Sequence, residues 1–400
     1  MGISLGLVGL GAFGSHFAPL FKSHPLVDRI GLCDQETDKL KRWAEEPSFQ
    51  DKLDNRDLYE DLDDICRADL DALVIITQPW LHAPQCVQAM EHGKHVYSAV
   101  PVISVPDGDE ILDWCGKLID TCTKAGQCYM LGETSYYRAP AMFCRRKAAE
   151  GAFGEFVYAE GEYFHDVDHG LRKVKKHREA SKSGREWQQK AKDYSERGIL
   201  NGPMHYPTHS AAGPVCVMNA HAVKVTAFAY YSEKHADWYG EAPANETALF
   251  KMSNGAHVRL CEYREIGHGS REMFRVYGNE ASFENDVWHT KWEKRDMRTA
   301  EMRDPLPEEV HEAFNRGHAA VKGISLDLSE QEKKDFLGGH GGSHAYLVHE
   351  FISAVAEERQ PSVNIWEAVR YMVMGVMAHK SALKEGELLD VPDFGNPPGT

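Results

Sequence analysis

The feature that most constrains this chain is a glycine pattern close to its N-terminus. Residues 3–8 read Ile-Ser-Leu-Gly-Leu-Val, an apolar run that predicts a buried strand, and Gly9-Leu-Gly11-Ala-Phe-Gly14 follows at once. Helix-like sequence then continues to about Lys22, so the glycines lie in a tight turn between a strand and a helix. A turn of this kind is typical of parallel α/β sheets that bind the phosphates of a nucleotide at their first loop.

An acidic residue after the second predicted strand completes the pattern. That strand, Ile30 to Cys33, ends at Asp34, whose carboxylate accepts hydrogen bonds from a ribose 2′-hydroxyl and repels a 2′-phosphate. The sequence therefore predicts NAD rather than NADP as the cofactor. A glycine-rich turn without a ligand is the alternative, and it leaves the match to the whole fingerprint unexplained. The turn residues predicted to contact the cofactor are Gly9, Gly11, Ala12, Phe13 and Gly14.

Strands and helices alternate up to about Arg138, and the pattern then changes. Residues 72–76 are five apolar residues in a row, as in a parallel strand that is covered on both faces, and helical segments surround 37–48, 83–92 and 107–125. Longer strand-like segments follow, with hairpin signals at 253–255 and 278–279. These later strands are predicted over 154–164, 223–231, 247–251, 257–264 and 273–277.

We therefore predict an α/β protein with two domains. Residues 1–137 form a Rossmann domain, a doubly wound parallel sheet that binds NAD. Residues 138–392 form an α+β domain for substrate binding and catalysis, with an open, mostly antiparallel sheet and with C-terminal helices over 344–384. The tail over 393–400 is predicted to be irregular. A chain of 400 residues usually needs two cores, which agrees with this division.

Composition excludes several classes of protein. The formal net charge is −16, which argues against binding of nucleic-acid phosphates, and no apolar run is long enough to span a membrane. We expect no signal peptide, because the first apolar residues are needed for a strand and no basic segment precedes them. The nine cysteines include no Cys-x-x-Cys pair, so we predict free thiols in a cytoplasmic protein, with neither a disulfide framework nor a metal site.

With these residues laid out, the chain resembles the Gfo/Idh/MocA superfamily of sugar and inositol dehydrogenases over nearly its whole length. The segment from Thr77 to His82 resembles the third-strand loop of the family, and this resemblance implies that both residues contact the cofactor. The segment from Gly93 to Pro101 resembles the one that normally ends in Glu-Lys-Pro. Residues 202–209 occupy the place of the Asp-x-x-x-His motif.

The departures from that family affect its catalytic groups. Its dehydrogenases use Lys, Asp and His around the reacting hydroxyl, whereas this chain has Val100 and His205 at the first two positions and keeps only His209. Valine cannot accept or relay a proton, so the usual route for removing the hydroxyl proton is absent.

One branch of the superfamily, the NAD-dependent glycoside hydrolases typified by α-N-acetylgalactosaminidases, does carry Val-Pro at this place. Three further segments resemble that branch: residues 206–215 with Tyr-Pro-Thr-His, residues 161–166 with Gly-Glu-Tyr-Phe-His-Asp, and the glycine-rich residues 338–342. The chain departs from it at Ala99, where the branch has Glu, and at Ser343-His344, where it has Met-Asp. The resemblance implies catalytic roles for His209, Tyr163, Glu133 and Tyr206. We also predict substrate contacts for His165, His205, Arg172, Lys173 and His340, the two basic residues because of the basic segment described below.

Such enzymes oxidise the sugar at C3 for a moment, eliminate the glycosidic bond, add water and return the hydride. By this resemblance His209 and Tyr163 transfer protons, while Glu133 and Tyr206 bind or orient sugar hydroxyls. Structural alternatives stay open: Glu133 as a helix cap, Tyr206 and His209 as core residues, and His340 in a flexible turn. A net NAD-dependent sugar or cyclitol dehydrogenase is the alternative function, and a regulatory NAD-binding protein is the third.

A basic segment stands out in this acidic chain. Residues 171–192 contain nine Lys or Arg side chains against two Glu, a net charge of +7. One interpretation is a solvated loop or an oligomer contact. The sharper hypothesis is recognition of an anionic sugar, such as the sulfonate of a sulfoquinovoside. The open sheet of the second domain also predicts a homodimer or homotetramer.

Overall fold

The computed structural model describes residues 2–320 and 339–398, which divide into two compact units. The first unit contains residues 2–102 and 117–138 and the described residues between 305 and 365. The second contains residues 103–116, 139–304 and 366–398. The domain limits predicted from the sequence, including those of the C-terminal helical region and the tail, stay predictions.

A six-stranded sheet forms the centre of the first unit. Its strands are β1 (Ile3–Val8), β2 (Val27–Cys33), β3 (Leu53–Tyr59), β4 (Ala72–Ile75), β5 (His95–Ser98) and β6 (Tyr129–Leu131). The strands lie in the order β3-β2-β1-β4-β5-β6, and every neighbouring pair is parallel. The order reverses direction beside β1, as in a doubly wound sheet, so the predicted Rossmann architecture is confirmed.

A nine-stranded sheet forms the centre of the second unit. Its strands are β7 (Phe156–His165), β8 (Ala222–Tyr230), β9 (Asn245–Met252), β10 (His257–Tyr263), β11 (Ser270–Gly278), β12 (Ala281–Glu284), β13 (Val287–Thr290), β14 (Lys294–Asp296) and β15 (Leu389–Asp390). The order is β14-β13-β12-β11-β7-β10-β9-β8-β15, and only β7 and β10 pair in parallel among these described strands. The predicted open, mostly antiparallel sheet is therefore confirmed, with its hairpins at 253–255 and 278–279.

The helices complete both units. They are α1 (Gly14–Ser23), α2 (Thr37–Ala44), α3 (Leu62–Arg67), α4 (His82–Glu91), α5 (Gly108–Ala125), α6 (Ala139–Ala149), α7 (Arg172–Ala180), α8 (Lys182–Glu196), α9 (Thr208–Met218), α10 (Ala236–Tyr239), α11 (Thr299–Met302), α12 (Glu308–Ala320), α13 (Gly339–Ala356) and α14 (Ile365–Ala382). Short 3₁₀ turns occur at Pro47–Phe49, Thr134–Tyr137 and Pro203–His205, and a π-type turn occurs at Val167–Leu171. No helix among the described residues combines the length and the hydropathy needed to cross a bilayer.

Strand β3 and the basic segment over 171–192 are among the segments that differ from the sequence-based expectation. Strand β3 was not predicted, because its sequence, Leu-Asp-Asn-Arg-Asp-Leu-Tyr, is mostly polar, and the structure explains this by its position at the edge of the sheet. The basic segment over 171–192 is not a loop but the two helices α7 and α8. Most side chains of α7 are exposed, so this helix lacks the apolar stripe that would have revealed it in the sequence.

Aromatic packing builds part of the core of the first unit. Phe21 from α1 lies edge-on to Tyr97 from β5, with 5.3 Å between ring centroids, and Phe351 from α13 lies 5.7 Å from Tyr97. All three side chains are fully buried. Rings in edge-to-face contact add about 0.5–1.5 kcal/mol beyond the burial of their surface.

A buried histidine pair makes the first unit sensitive to acid. His24 is 1% exposed, its Nδ1 accepts a hydrogen bond from the Leu26 amide, and its Nε2 lies 3.2 Å from Nδ1 of His349. Burial first, then the nearby His349 and Lys52, lower the pKa of His24 to about 3. The folded protein therefore binds the proton more weakly than the unfolded chain, so stability falls as the pH drops below the ordinary histidine value of 6.5.

We expect His24→Asn to remove this part of the acid sensitivity, because asparagine can still accept the Leu26 hydrogen bond but does not titrate. The wild type should lose about 2 kcal/mol of unfolding free energy through this group between pH 7 and pH 5. Urea unfolding at both pH values measures the difference, with the exposed His92→Asn as the matched control. Equal pH slopes for wild type and His24→Asn would contradict the assignment.

Candidate active site

The glycine turn between β1 and α1 has the shape that a dinucleotide site requires. Gly9 has a φ of +92°, and a Cβ there would lie 2.3 Å from the carbonyl oxygen of Ile76. A Cβ on Gly14 would lie 2.1 Å from the carbonyl oxygen of Gly9, so helix and strand approach closely. A Cβ on Gly11 would meet no atom within 4 Å, so the backbone there borders open space that a pyrophosphate could occupy.

Asp34 stands at the end of β2, beside this turn. One carboxylate oxygen accepts a hydrogen bond from the Leu10 amide at 2.8 Å, the other accepts one from the Glu36 amide at 2.9 Å, and Lys39 Nζ lies 3.7 Å away. These contacts fix the carboxylate next to the glycine turn, where a ribose 2′-hydroxyl is expected. The local geometry therefore fits NAD, and the individual cofactor contacts remain predictions.

The other predicted cofactor residues take part in local contacts. The Ala12 carbonyl accepts a hydrogen bond from Ser15 Oγ at 2.8 Å, and Thr77 Oγ1 bonds to the side chain of Gln85. His82 is buried, with Nδ1 2.8 Å from the carbonyl oxygen of Pro101 and Nε2 3.4 Å from that of Thr77. Thr77 and His82 thus shape the loop after β4, and any contact with NAD comes in addition to that role.

A histidine pair at the start of α13 lies near the glycine turn. Phe13 is 37% exposed, and its ring centroid lies 6.1 Å from His340 and 6.0 Å from His344. Nδ1 of His344 accepts a hydrogen bond from the Gly339 amide, and Nε2 of His344 lies 2.8 Å from Nδ1 of His340. His344 therefore donates from Nε2 and fixes the orientation of His340. Gly338, which belongs to the same glycine-rich segment, lies outside the described residues.

Three predicted catalytic residues come together in the second unit. Tyr163 near the end of β7 and His209 in the first turn of α9 have ring centroids 4.8 Å apart. Tyr206, just before α9, stacks on Tyr163 at 6.3 Å and lies 5.5 Å from His209. A close approach of β7 and α9 allows this, because a Cβ on Gly161 would lie only 1.8 Å from the carbonyl oxygen of Ser210. The cluster places a phenol and an imidazole side by side, as proton transfer at neighbouring atoms of one substrate requires.

The surroundings of Tyr163 are polar and charged. Its hydroxyl lies 3.0 Å from Nδ1 of His165, and the guanidinium carbon of Arg264 lies 4.8 Å from the centre of its ring. Burial first, then the charge of Arg264, lower the pKa of His165 to about 4, so this imidazole is neutral at neutral pH. Tyr163 thus has both a hydrogen-bonding and a cationic neighbour, the two kinds of help that a phenol needs to act as a base.

A buried carboxyl group connects the two sides of this cluster. Glu262 is fully buried, accepts a hydrogen bond from Ser210 Oγ beside His209, and lies 2.7 Å from Nη2 of Arg264. Burial raises the pKa of Glu262 to about 7, although Arg264 and Ser210 act in the opposite direction. Glu262 therefore ties α9 to the arginine that stands over Tyr163.

Sequence reasoning missed three members of this site. Glu272 on β11 is directly opposite Tyr163 in the strand register, and its Oε1 lies 3.8 Å from Nδ1 of His209. Glu262 and Arg264 escaped notice because they look like ordinary charged residues in the run Cys-Glu-Tyr-Arg-Glu. Glu262 and Arg264 are two positions apart at the end of a predicted strand, so their side chains lie on the same face of the sheet. This spacing is the sequence feature that could have revealed them.

Glu133 caps a turn in the first unit. It is fully buried, and its Oε1 accepts a hydrogen bond from the Ser135 amide at 2.8 Å at the start of the 3₁₀ turn Thr134–Tyr137. One oxygen of Glu133 therefore has the capping role that was the structural alternative. A role in binding sugar hydroxyls stays a prediction.

His205 lies in a buried network that holds the segment before Tyr206. It is 1% exposed, with its ring 4.5 Å from that of His379 on α14. Nδ1 of His379 lies 2.6 Å from Glu246, its Nε2 lies 3.0 Å from the Leu200 carbonyl oxygen, and the other Glu246 oxygen accepts the Met204 amide. Burial is the largest single influence and lowers the pKa of His379, but the hydrogen bond and charge of Glu246 together with the Leu200 carbonyl outweigh it, so the pKa is raised. The buried position favours a structural role for His205, and its predicted substrate contact stays a prediction.

Arg172 has several partners on its own surface. Its Nε lies 2.9 Å from Asp168, its Nη1 3.5 Å from Asp237 and its Nη2 3.1 Å from Nδ1 of His235, and the guanidinium covers the ring of Trp238. Lys173, the next residue of α7, is exposed. The charge of Arg172 is thus largely compensated, whereas Lys173 points to solvent.

Comparison with known proteins finds two family models that match this chain, one in its N-terminal part and one in its C-terminal part. Residues 3–132 match the Gfo/Idh/MocA model, described as an oxidoreductase family with an NAD-binding Rossmann fold, and residues 328–397 match the C-terminal domain of glycosyl hydrolase 109. An α-N-acetylgalactosaminidase from Shewanella oneidensis is 22% identical over 98% of this chain and 85% of its own length. One from Bacteroides fragilis is 37% identical, but over 39% of this chain and 34% of its own length. In fold, levoglucosan dehydrogenase in complex with NADH is similar, with a TM-score of 0.69, 17% identity and coverage of 98% and 100% of the two chains.

A parallel sheet with this glycine turn, followed by an open sheet with a Tyr-His cluster, defines an NAD-dependent enzyme of the oxidoreductase fold. Within the Gfo/Idh/MocA oxidoreductases, whose NAD-binding domain residues 3–132 match, the C-terminal match and the named relatives support the glycosyl hydrolase 109 branch of NAD-dependent glycosidases.

Proposed function

We propose that the protein hydrolyses a glycoside without net oxidation, by temporary oxidation of the sugar at C3. The observation that carries the proposal is the pairing of Tyr163 with His209, because elimination next to a C3 ketone needs two proton-transfer groups close together. The chain has Val100 where family dehydrogenases have lysine, which disfavours simple alcohol oxidation. The names of the relatives suggest an α-N-acetylgalactosaminide as the first substrate to test.

The residues divide the proton transfers between them. NAD, when bound, supplies hydride acceptance and hydride return at C3. His209 removes the C3 hydroxyl proton, since imidazole titrates near neutrality and Glu272 lies close enough to stabilise the imidazolium. Tyr163 takes the C2 proton, Tyr206 orients the sugar ring, and Glu133 is proposed to bind a sugar hydroxyl. Facing carboxylates of the ordinary glycosidase kind are not needed for this route.

One assay separates the possible functions. The purified protein is incubated with NAD and with 4-nitrophenyl N-acetyl-α-galactosaminide, and both nitrophenol release and NADH absorbance are followed. Release without lasting NADH supports the proposal. NADH formed in step with sugar consumption would instead identify a net dehydrogenase, and tight NAD binding without either signal would identify a regulatory protein.

A finer proposal is that the glycoside carries an anionic group, such as the sulfonate of a sulfoquinovoside. Its support is the net charge of +7 over residues 171–192, with Lys173 exposed on α7. We expect Lys173→Ala to raise KM for an anionic glycoside by about fivefold, the effect of about 1 kcal/mol from an exposed ion pair, and to leave KM for a neutral one unchanged. Arg172→Ala is the comparison, because Asp168 and Asp237 already compensate its charge. Equal effects on both glycosides would contradict the finer proposal.

We also propose that the protein forms a homodimer or homotetramer through the open face of the nine-stranded sheet, and that it works in the cytoplasm. Phe228 on β8 is 64% exposed and Leu249 on β9 is 45% exposed, which is unusual for large apolar side chains on a sheet. The nine cysteines are free thiols, which fits a reducing compartment. Sedimentation velocity of the wild type and of Phe228→Glu tests the association.

A further inference from the structure

Arg264 lies against Tyr163, but the proposed reaction gives this arginine no role. Its guanidinium carbon lies 4.8 Å from the ring centre of Tyr163, and its Nη1 donates to the carbonyl oxygens of Tyr163 and Tyr263, each at 3.2 Å. Its Nη2 donates to Glu262 at 2.7 Å. These three hydrogen bonds hold the planar guanidinium in one orientation, so the positive charge is fixed in one place above the phenol.

We propose that Arg264 is a positioning residue that holds a positive charge over Tyr163, so that this tyrosine can act as the base of the elimination step. The inference rests on the proposed function. The Tyr163 oxygen takes the proton from C2, the electron pair of that C–H bond forms the C1–C2 double bond, and the glycosidic oxygen leaves with its bonding pair. A fixed cation favours the phenolate form that such a step requires.

Glu262 sets the strength of this effect. It is the ion-pair partner of Arg264 and the register partner of Tyr163 on the neighbouring strand β10, and it also accepts a hydrogen bond from the Ser210 hydroxyl beside His209. A negative carboxylate weakens the field of the guanidinium at Tyr163, whereas a neutral one leaves that field intact. Changes to Glu262 and to Arg264 should therefore move the ionisation of Tyr163 in opposite directions, which a purely structural role would not produce.

The other groups around Tyr163 stay unchanged in the test. His165 follows on the same strand, Tyr206 and His209 face it from the start of α9, and Glu272 is opposite it on β11. Besides the Arg264 pair, these four side chains are titratable neighbours of Tyr163 among the described residues of the second unit. Because the variants keep all four, a shift in the ionisation of Tyr163 reports on Arg264 and Glu262.

The experiment measures tyrosinate ionisation directly. Ultraviolet difference titration of each variant, minus the same variant with Tyr163→Phe, isolates Tyr163 in the full-length protein with NAD. The double variant Arg264→Met/Glu262→Gln should titrate at least about one pH unit higher than Glu262→Gln alone, because these two proteins differ only in the arginine. Its kcat for the nitrophenyl glycoside should fall about tenfold at neutral pH and recover as the pH rises. The double change avoids a buried, unpaired Glu262, which would cost stability.

Two further variants and a control complete the test. Glu262→Gln alone should leave the ionisation of Tyr163 unchanged or move it to lower pH. Arg264→Lys keeps the positive charge, so its Tyr163 should ionise at a pH close to that of the wild type. Arg295→Met removes an arginine that pairs with Glu301 at 3.0 Å on edge strand β14, and it should change neither measurement.

A titration of the double variant that coincides with that of Glu262→Gln would overturn the proposal. Ionisation of Tyr163 at a higher pH in Glu262→Gln than in the wild type would also overturn it, and this result is decisive even if the double variant does not fold. A wild type that is inactive on glycosides would contradict the proposed function, and the tyrosinate titration would still decide the role of Arg264.

Discussion

Replacing His209 with asparagine should lower kcat for the nitrophenyl glycoside by about 10²–10⁴-fold, the usual contribution of a positioned proton-transfer group. Asparagine keeps a similar size and a polar end but cannot carry the proton. His209 is 8% exposed and lies in the first turn of α9, so the change should leave the fold intact. The glycine turn and Asp34 belong to the first unit, and the content of bound NAD should therefore stay the same.

The matched control is His257→Asn, which makes the same chemical change at an exposed position of β10. Nitrophenol release and the amount of NAD retained after gel filtration are measured for the three proteins. A His209→Asn enzyme with wild-type kcat would remove His209 from the catalytic role. Loss of activity together with loss of NAD would mean that the change acts through the fold.

Gly161→Ala should destabilise the second unit by about 1–3 kcal/mol, as overpacking in a tight core does, and should abolish most of the activity. The added Cβ would lie 1.8 Å from the backbone carbonyl oxygen of Ser210, and a backbone atom cannot rotate away as a side chain would. Strand β7 and helix α9 would have to separate. Because these two elements carry Tyr163 and His209, the separation disrupts the cluster as well as the packing.

Gly116→Ala provides the contrast for this prediction. A Cβ at Gly116, within helix α5, would meet only the ring of Phe394 at 3.9 Å, an ordinary contact. Alanine has a better helix propensity than glycine by up to about 1 kcal/mol, so this change should stabilise the protein slightly. Urea unfolding followed by circular dichroism measures both variants. Equal stability of Gly161→Ala and the wild type would contradict the close packing of β7 on α9.

Local sequence signals predicted the first unit well. The apolar strands, the glycine turn and Asp34 each have a direct physical reason that can be read in a short window of sequence. Strand β3 escaped because an edge strand does not need a buried face. Helices α7 and α8 escaped because hydrophobic periodicity is weak where few side chains are buried.

The candidate site could be predicted only in part, because half of it depends on strand pairing. Tyr163 and His209 belong to recognisable motifs, but nothing local links them to Arg264, which lies about a hundred residues after Tyr163. The parallel pairing of β7 with β10 brings the ends of these strands to the same edge of the sheet. That pairing is a long-range property, and a single sequence does not encode it in any short pattern.

The His379 contacts have a consequence for replacing the C-terminal part of this enzyme. The histidine sits near the end of the last long helix, inside the region that matches the glycosyl hydrolase 109 C-terminal domain, and it bonds to Leu200 six residues before Tyr206. Helix α14 thus holds the segment that precedes Tyr206 in place, although the two lie far apart in the sequence. Replacing the last helix with a foreign sequence should therefore remove the His379 contacts that hold the segment before Tyr206, even with Tyr163, Tyr206 and His209 unchanged.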